Sequence, residues 1–246
     1  MKLIDFLVET KLYVGNIFEI IATITGIWYL IKSDKVSSEI KYFVYYLIFI
    51  IILEMYGYLP ILAYLEDYKV LSFFEDSIFR RNIWWVNMLS VITTLCVSWI
   101  FIRSLSKFDT RKKLTILLFL FTVFSLISFT TFGDFFHAND PYVNITGVLI
   151  ILVCVGFYYI DLLKSNRILT FHQDIRFYIS IGMVLWNLSL VPAQIYLGFF
   201  NLENPDFINM YTKVLRYANI LLYSIFTIGF IIDYRSNKGR KETLVN

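Results

Sequence analysis

Seven apolar stretches, each about twenty residues long, divide this chain of 246 residues and constrain its fold more than any other feature. They are Leu12–Ile31, Tyr42–Leu65, Ile83–Ile102, Leu114–Phe132, Ile145–Leu163, Phe177–Phe200 and Val214–Ile232. An α-helix rises about 1.5 Å per residue, so each stretch can cross a hydrocarbon layer about 30 Å thick. The sequence therefore predicts an all-α integral membrane protein, built as a bundle of seven transmembrane helices.

The basic residues fall mostly on one side of this predicted bundle. Seven crossings put the two termini on opposite faces. Of the 22 Lys and Arg residues, seven lie on the face of the N-terminus and fifteen on the other face. Basic residues in short loops stay cytoplasmic, which predicts that the N-terminus is outside and the C-terminus inside. The Ile-, Phe- and Lys-rich composition favours the cytoplasmic (inner) membrane of a bacterium, with the lipid bilayer as the surrounding partner.

The composition leaves no room for a separate soluble domain. The chain is 58% hydrophobic with a mean hydropathy of +0.66, well above an ordinary soluble protein. We expect one transmembrane domain over residues 1–234 and a basic cytoplasmic tail over 235–246, which we expect to be disordered. The net charge of +3 reflects loops that face anionic lipid headgroups, so no nucleic-acid partner is predicted.

Three further features of the sequence bear on the structure. Residues 66–82 mix apolar and charged side chains in a way that favours an interfacial helix. Asn204-Pro205 predicts a helix start, because Pro suits a first-turn position. Short motifs such as Arg103-Ser104 and Arg235-Ser236 recur in the same order in the two halves, which is compatible with a parallel 3+1+3 repeat of helices. Apolar segments also align by chance, and that alternative stays open.

The candidate functional residues are polar side chains inside the predicted spans. Such groups are costly to bury in a membrane, so they indicate either a site or a structural partner. Asn16, Glu19 and Thr23 share one face of the first helix through their spacing. The candidate ligand-binding set lies in the predicted outer half or near the midplane and comprises Asn16, Glu19, Glu54, Asn87, Asn187, Gln194, Arg216 and Asn219.

Two interpretations of this set remain. In the functional one, the side chains line a cavity open to the outer face, with Arg216 opposing Glu19 or Glu54. In the structural one, they are hydrogen-bonding contacts between helices, worth about 0.6–2 kcal/mol each. The two glutamates and Arg216 favour the functional interpretation, because charges are the most expensive groups to place there.

The sequence lacks the motifs of common membrane enzymes. The two histidines, His137 and His172, fall on opposite faces, so no histidine metal centre is predicted. The patterns His-Glu-x-x-His, Gly-x-Ser-x-Gly and Gly-x-Gly-x-x-Gly do not occur. No lysine lies in the middle of the seventh span, as a retinal protein would need. We therefore expect no metal, no cofactor and no enzymatic activity.

Two motifs carry a resemblance to a known group of proteins. The acidic residue in the second span, Leu53-Glu54, and the entry to the sixth span, Ile175–Gly182, resemble the small stand-alone seven-helix membrane proteins of Bacteroidota. They also resemble the seven-helix sensory modules at the N-termini of some histidine kinases. The resemblance implies a sensory or accessory role beside a signalling partner. Since only a short tail follows the last span, the output would pass through a separate protein.

The function that the sequence favours is a membrane-embedded sensor or receptor-like module with an outward-facing polar cavity. Segment 103–113 and tail 235–246 would contact a membrane or cytoplasmic protein partner. The alternatives are a small-solute or proton-coupled transporter that uses Glu19 and Glu54, and a non-catalytic subunit of a larger membrane complex. A transporter needs a polar path through the bundle, whereas a sensor needs an inner half that is closed.

Overall fold

The structure, a computed structural model, describes residue 11 and residues 13–131, 135–199 and 205–245, without the side chains of 193–208 and 239–245. Its helices are α1 (Tyr13–Lys32), α2 (Ser38–Leu65), α3 (Ile83–Ser104), α4 (Phe108–Thr131), α5 (Pro141–Leu163), α6 (Ile175–Phe199) and α7 (Pro205–Val245). Each contains a segment long and apolar enough to span a membrane. The prediction of an all-helical integral membrane protein with seven spanning helices is confirmed.

Six of the helices form a closed ring. Consecutive contacts join α1 to α2, α2 to α3, α3 to α5, α5 to α6 and α6 to α7, and α7 packs back on α1. Helix α4 lies against α3 and α5 and exposes large apolar side chains, among them Phe119 and Leu126. Exposed apolar side chains of this size suit a lipid-facing helix rather than one in water.

The two ends of the bundle are named here by the direction of the chain. The N-side is the end where α1, α3, α5 and α7 begin, with connections 66–82 and 135–140. The C-side is the end where these helices finish, with connections 33–37, 105–107 and 164–174.

Helices α2, α4, α5, α6 and α7 begin earlier than the hydropathy pattern predicts. Helix α5 starts at Pro141 instead of Ile145, because Asp140 caps it: its Oδ1 accepts the backbone N–H groups of Tyr142 at 2.9 Å and Val143 at 3.0 Å. Hydropathy detects the apolar layer, whereas caps and first turns extend beyond it.

The prediction of an interfacial helix over residues 66–82 is wrong. Asp67 and Tyr68 take positive φ angles of 50° and 56°, which end α2 immediately after Leu65. The rest of the segment holds two short 3₁₀ turns, Ser72–Phe74 and Ile78–Arg80. The apolar side chains of the segment therefore sit on turns rather than along a continuous helical face.

Helix α7 confirms one prediction and corrects another. It begins at Pro205, as the Asn204-Pro205 pair predicts. It then continues for 41 residues to Val245. The expectation of a disordered tail over 235–246 is therefore wrong, because the helix runs through nearly all of that tail. Residues 1–11, whose sequence predicts a short amphipathic lead-in to α1, lie almost entirely outside the described residues.

An aromatic layer fills the ring between its two ends. Phe43 of α2 contacts Phe226 edge-to-face, with ring centroids 5.0 Å apart, and stacks on Phe230 at 6.2 Å. All three rings are 0–1% exposed. Helix α1 packs closely against this layer at Gly26, where an added Cβ would lie 3.1 Å from the Phe230 ring. The layer, defined as Phe43, Phe226 and Phe230, separates two polar regions.

Candidate functional site

The first polar region is a cluster of side chains on the N-side half of the ring. Helix α1 contributes Asn16 and Glu19, which are three residues apart and so share a face. Helix α2 contributes Glu54 and Tyr58, one turn apart, and α7 contributes Tyr223. These five residues are called the glutamate cluster. Glu19 is only 2% exposed, although its side chain is acidic.

The two carboxyl groups of the cluster meet inside the bundle. The Glu19 carboxyl lies close enough to the Glu54 carboxyl and to the Tyr223 hydroxyl to interact with both. Beside them, Asn16 Nδ2 donates to the Tyr58 hydroxyl at 3.0 Å. One glutamate oxygen, Glu19 Oε1, is buried and has no hydrogen-bond partner among the described residues. The cluster is thus only partly satisfied.

No cation neutralises this pair within the part of the chain that the structure describes. The predicted ion pair between Arg216 and Glu19 or Glu54 does not form there. Among the described residues, ion pairs join Arg167 to Asp161 at 2.7 Å and Arg176 to Asp174 at 3.1 Å. Two carboxyl groups in contact away from water repel each other when both are ionised, and a proton held between them removes that repulsion. The arrangement suits the capture and release of a proton or a small cation.

Asn87, another predicted site residue, has a role separate from the glutamate cluster. The Asn87 side chain holds the 135–140 connection: its Nδ2 donates to the carbonyls of Phe135 and Ala138, and its Oδ1 accepts from the Asp140 N–H. It belongs to the loop and not to the cluster.

The remaining predictions divide among different neighbours. Asn187 Nδ2 donates to the Met183 carbonyl at 2.7 Å within α6, and Asn187 also lines a cavity of about 140 Å³ between α3, α5 and α6. Asn219 accepts the Trp186 indole N–H at 2.7 Å, which joins α6 to α7. Arg216 is half-buried near the N-side. The side chain of Gln194 lies outside the described residues. The structure therefore brings together Asn16, Glu19 and Glu54 and disperses the others.

A cavity does exist on the N-side, but other residues line it. It has a volume of about 1060 Å³ and lies between α2, α3 and segment 66–82, with Pro60, Asp76, Arg81 and His137 in its wall. Neither Glu19 nor Glu54 is part of that wall. The expected outward-facing cavity and the expected polar residues thus occupy different places.

The second polar region, on the C-side, escaped the sequence analysis. Asp233 of α7 is 7% exposed and accepts three hydrogen bonds. They come from the Tyr29 hydroxyl at 2.7 Å, the Ile175 backbone N–H at 3.0 Å and Asn237 Nδ2 at 2.6 Å. This set is called the Asp233 network. It fixes the end of α1 and the Asp233 turn of α7 to the start of α6. Two of the donors come from a tyrosine and a main-chain amide, which a search for charged residues overlooks.

Arginines complete the C-side. Arg176 Nη1 donates to Asp174, and its Nη2 donates to Ser37 Oγ at 3.1 Å, which ties the start of α6 to the start of α2. Arg111 of α4 donates to the carbonyls of Leu105 and Arg103, which end α3. Within the basic segment 103–113, Arg111 therefore stabilises the end of α3 and is not free to contact a partner.

The described residues offer no metal site. No group of three or more His, Cys, Asp or Glu side chains among them could hold a metal ion. Cys96 and Cys154 are free thiols. Comparison with known proteins adds no assignment, because no family model, curated protein or solved structure matches the chain.

Proposed function

We propose that the protein is a membrane-embedded sensor or receptor-like module that reads a stimulus at the glutamate cluster and signals through a separate partner. One observation carries the proposal. Helix α7 places Tyr223, Phe226, Phe230 and Asp233 along one face, at spacings of three and four residues. The same face thus contacts Glu19 at one end, the aromatic layer in the middle and the Asp233 network at the other.

A change at the glutamate cluster has a direct physical route along this face. Gain or loss of a positive charge changes the repulsion between the two carboxyl groups, and so changes the contact between α1, α2 and α7. A packed interior transmits such displacements because it has few voids in which to absorb them. Displacement of this face of α7 moves Asp233, which is hydrogen-bonded to Tyr29 and to the Ile175 backbone N–H.

The aromatic layer favours sensing over transport. Phe43, Phe226 and Phe230 are 0–1% exposed and occupy the ring between the glutamate cluster and the Asp233 network. Passage of a solute or a hydrated ion through them would require the layer to open. The contact between Glu19 and Glu54 keeps a proton-coupled transporter as the second candidate, since such a pair can exchange a proton.

The topology and the partner belong to the same proposal. The excess of basic residues on the C-side supports a cytoplasmic C-side and an N-terminus outside, in a bacterial inner membrane. The exposed turns of 103–113 and the helical segment 235–245 would contact the partner protein. The internal repeat and the resemblance to seven-helix sensory modules remain predictions. A role as a non-catalytic subunit is a further prediction that the same experiment bears on.

The test asks whether the glutamate cluster controls the position of the end of α7. Spin labels at Lys112→Cys and Lys238→Cys, both exposed, would report the distance between α4 and α7 in a background without Cys96 and Cys154. We expect the double variant Glu19→Gln/Glu54→Gln to shift the mean distance by about 2 Å, the scale of helix displacements in switching proteins. The measurement is double electron–electron resonance in lipid nanodiscs.

The matched control is Glu75→Gln, which makes the same chemical change at an exposed N-side position. It should leave the distance unchanged. Identical distance distributions in all three proteins would contradict the proposal and favour a purely structural, subunit-like role. A parallel assay in proteoliposomes separates the transporter: dissipation of an imposed pH gradient that needs Glu19 and Glu54 would favour transport.

A further inference from the structure

A polar cavity opens on the C-side, next to the Asp233 network. Its volume is about 260 Å³, and its wall is formed by residues from α1, α2, α5, α6 and α7 and from the connections between them. The wall contains three cationic side chains, those of Lys35, Arg167 and Arg176. It is called the C-side cavity. It is separate from the glutamate cluster, and the inference drawn from it does not depend on the proposed function.

The carboxylates of the cavity wall are already engaged. Asp233 accepts its three hydrogen bonds from Tyr29, Ile175 and Asn237. Asp174 accepts from the backbone N–H and the guanidinium of Arg176. Arg176 pairs with Asp174, and Arg167 pairs with Asp161 just outside the wall, so one positive charge of the wall has no carboxylate within ion-pairing distance among the described residues. Lys35 is exposed and supplies that charge.

Two buried donors beside the cavity lack acceptors. Arg176 Nε and the Tyr158 hydroxyl are inaccessible to solvent and have no hydrogen-bond partner among the described residues. Tyr158 is 1% exposed and lies within electrostatic range of Arg167, Arg176 and Asp174. Buried donors are nearly always paired in native proteins, and an unpaired one calls for a missing acceptor such as an ion or a water molecule.

Arg167 lies at the rim of the cavity, and two contacts hold its guanidinium there. Its Nη2 donates to Asp161 at 2.7 Å, and its Nη1 makes a long contact of 3.4 Å with the Ser104 carbonyl. Its side chain is 39% exposed, so part of the guanidinium still faces solvent. Arginine and lysine together, with hydroxyl and amide donors nearby, form the usual environment of a phosphate group. Gln173 and Thr170 supply such neighbours in the wall.

We infer that the C-side cavity binds a phosphate group, held by Lys35 and Arg167 at its rim and by Arg176 at its base. The group has several acceptor oxygens, which matches the excess of donors around the cavity. The volume accommodates one such group together with a small organic portion. A phospholipid headgroup and a free phosphate compound offer the same chemistry, and the experiment distinguishes between them.

The test uses the full chain, purified in an uncharged maltoside detergent. Radiolabelled inorganic phosphate is titrated at constant ionic strength in one arm. In the other arm, phosphatidylglycerol retained by the protein is counted by native mass spectrometry. We expect saturable binding of one phosphate group per chain in at least one arm. Binding in the first arm indicates a soluble compound, and binding in the second arm alone indicates a lipid headgroup.

Substitutions assign the binding to this cavity. Lys35→Gln should weaken it about tenfold, the loss expected for one charged hydrogen bond. Arg167→Gln should weaken it at least as much. Because Arg167 also pairs with Asp161, the exposed Lys35 provides the variant that does not disturb the fold. The control, Lys112→Gln, removes an exposed basic residue elsewhere on the same side and should bind as the unsubstituted chain does. Absence of binding in both arms, or binding that Lys35→Gln leaves unchanged, overturns the inference.

Discussion

The carboxylates of the two polar regions have opposite surroundings. On the C-side, Asp233 accepts three hydrogen bonds, and each nearby arginine has a carboxylate partner. On the N-side, Glu19 faces a second glutamate, and one of its oxygens has no partner among the described residues. Buried polar groups that are fully paired stabilise a unique arrangement, whereas partly paired ones store unfavourable energy. The contrast indicates that the Asp233 network holds helices together, whereas the glutamate cluster is the region that the proposed function requires to change state.

The largest effect on the free energy of unfolding is expected when Asp233 is replaced, and this change tests the comparison most directly. Asp233→Ala leaves the Tyr29 hydroxyl and the Ile175 amide buried without acceptors, at a cost of about 1–3 kcal/mol for each unsatisfied group. We expect the free energy of unfolding to fall by about 3 kcal/mol, measured by titration with sodium dodecyl sulfate in mixed micelles. The exposed Asp76→Ala is the matched control and should change it by less than about 0.5 kcal/mol. A loss below about 1 kcal/mol for Asp233→Ala would show that the network does not hold the helices together.

A milder change removes one hydrogen bond from the same network. Tyr29→Phe keeps the ring and deletes only the hydroxyl that donates to Asp233 at 2.7 Å. The unfolding free energy should fall by about 1 kcal/mol, because the remaining two donors still satisfy the carboxylate. Tyr42→Phe, at a tyrosine that is 60% exposed, makes the same chemical change and should have no effect. Equal effects of the two variants would contradict the role assigned to Asp233.

The corresponding change on the N-side should cost less. Tyr58→Phe deletes the hydroxyl that accepts from Asn16 at 3.0 Å. We expect a loss of about 0.6 kcal/mol, the average for a hydrogen bond between membrane helices. The same detergent titration measures it, with the exposed Tyr64→Phe as control. A loss larger than that of Tyr29→Phe would reverse the comparison.

The smallest effect on stability is expected at the centre of the proposed site. Glu19→Gln keeps the size of the side chain, replaces one carboxyl oxygen by an NH2 donor and removes the ability to ionise. Since no ion pair to Glu19 is lost in the described structure, the unfolding free energy should change by less than about 0.5 kcal/mol. The spin-label distance described above should nevertheless shift. If Glu19→Gln instead destabilised the bundle by more than about 2 kcal/mol, the glutamate would be a structural residue.

The fold could be predicted from the sequence because a bilayer leaves few alternatives to long apolar helices. Seven stretches became seven helices, and Pro205 begins the last of them as expected. The residues at which the helices begin and end were less predictable. Helix α5 begins at Pro141 because of a side-chain cap on Asp140, and α7 continues far past Ile232 into a basic stretch that hydropathy scores as polar. The interfacial helix predicted over residues 66–82 is absent because Asp67 and Tyr68 take left-handed backbone conformations, which interrupt a sequence pattern that looks helical.

The candidate site could be predicted only in part, for reasons of helix arrangement. The spacing of Asn16 and Glu19 identifies their common face, but it does not say which other helices meet that face. The contact with Glu54 depends on how α1 packs on α2, and the contact with Tyr223 depends on α7 packing back against α1; no single-helix pattern contains either. Asn87 looked equivalent to Asn16 by depth, yet it holds a loop through backbone carbonyls that have no sequence signature. The Asp233 network likewise depends on a main-chain amide.

The length of α7 has a mechanical consequence. At about 1.5 Å per residue, its 41 residues extend about 60 Å, roughly twice the thickness of the hydrocarbon core. The helix is therefore a lever arm whose pivot lies within the bundle and whose free end lies well outside it. A tilt of about 5° at Tyr223, roughly 33 Å from Val245, would move that end by about 3 Å, even where the side chains near the pivot move by a fraction of this. In the proposed function, amplification of this kind is what would carry a protonation change at the glutamate cluster to a partner protein at the membrane surface.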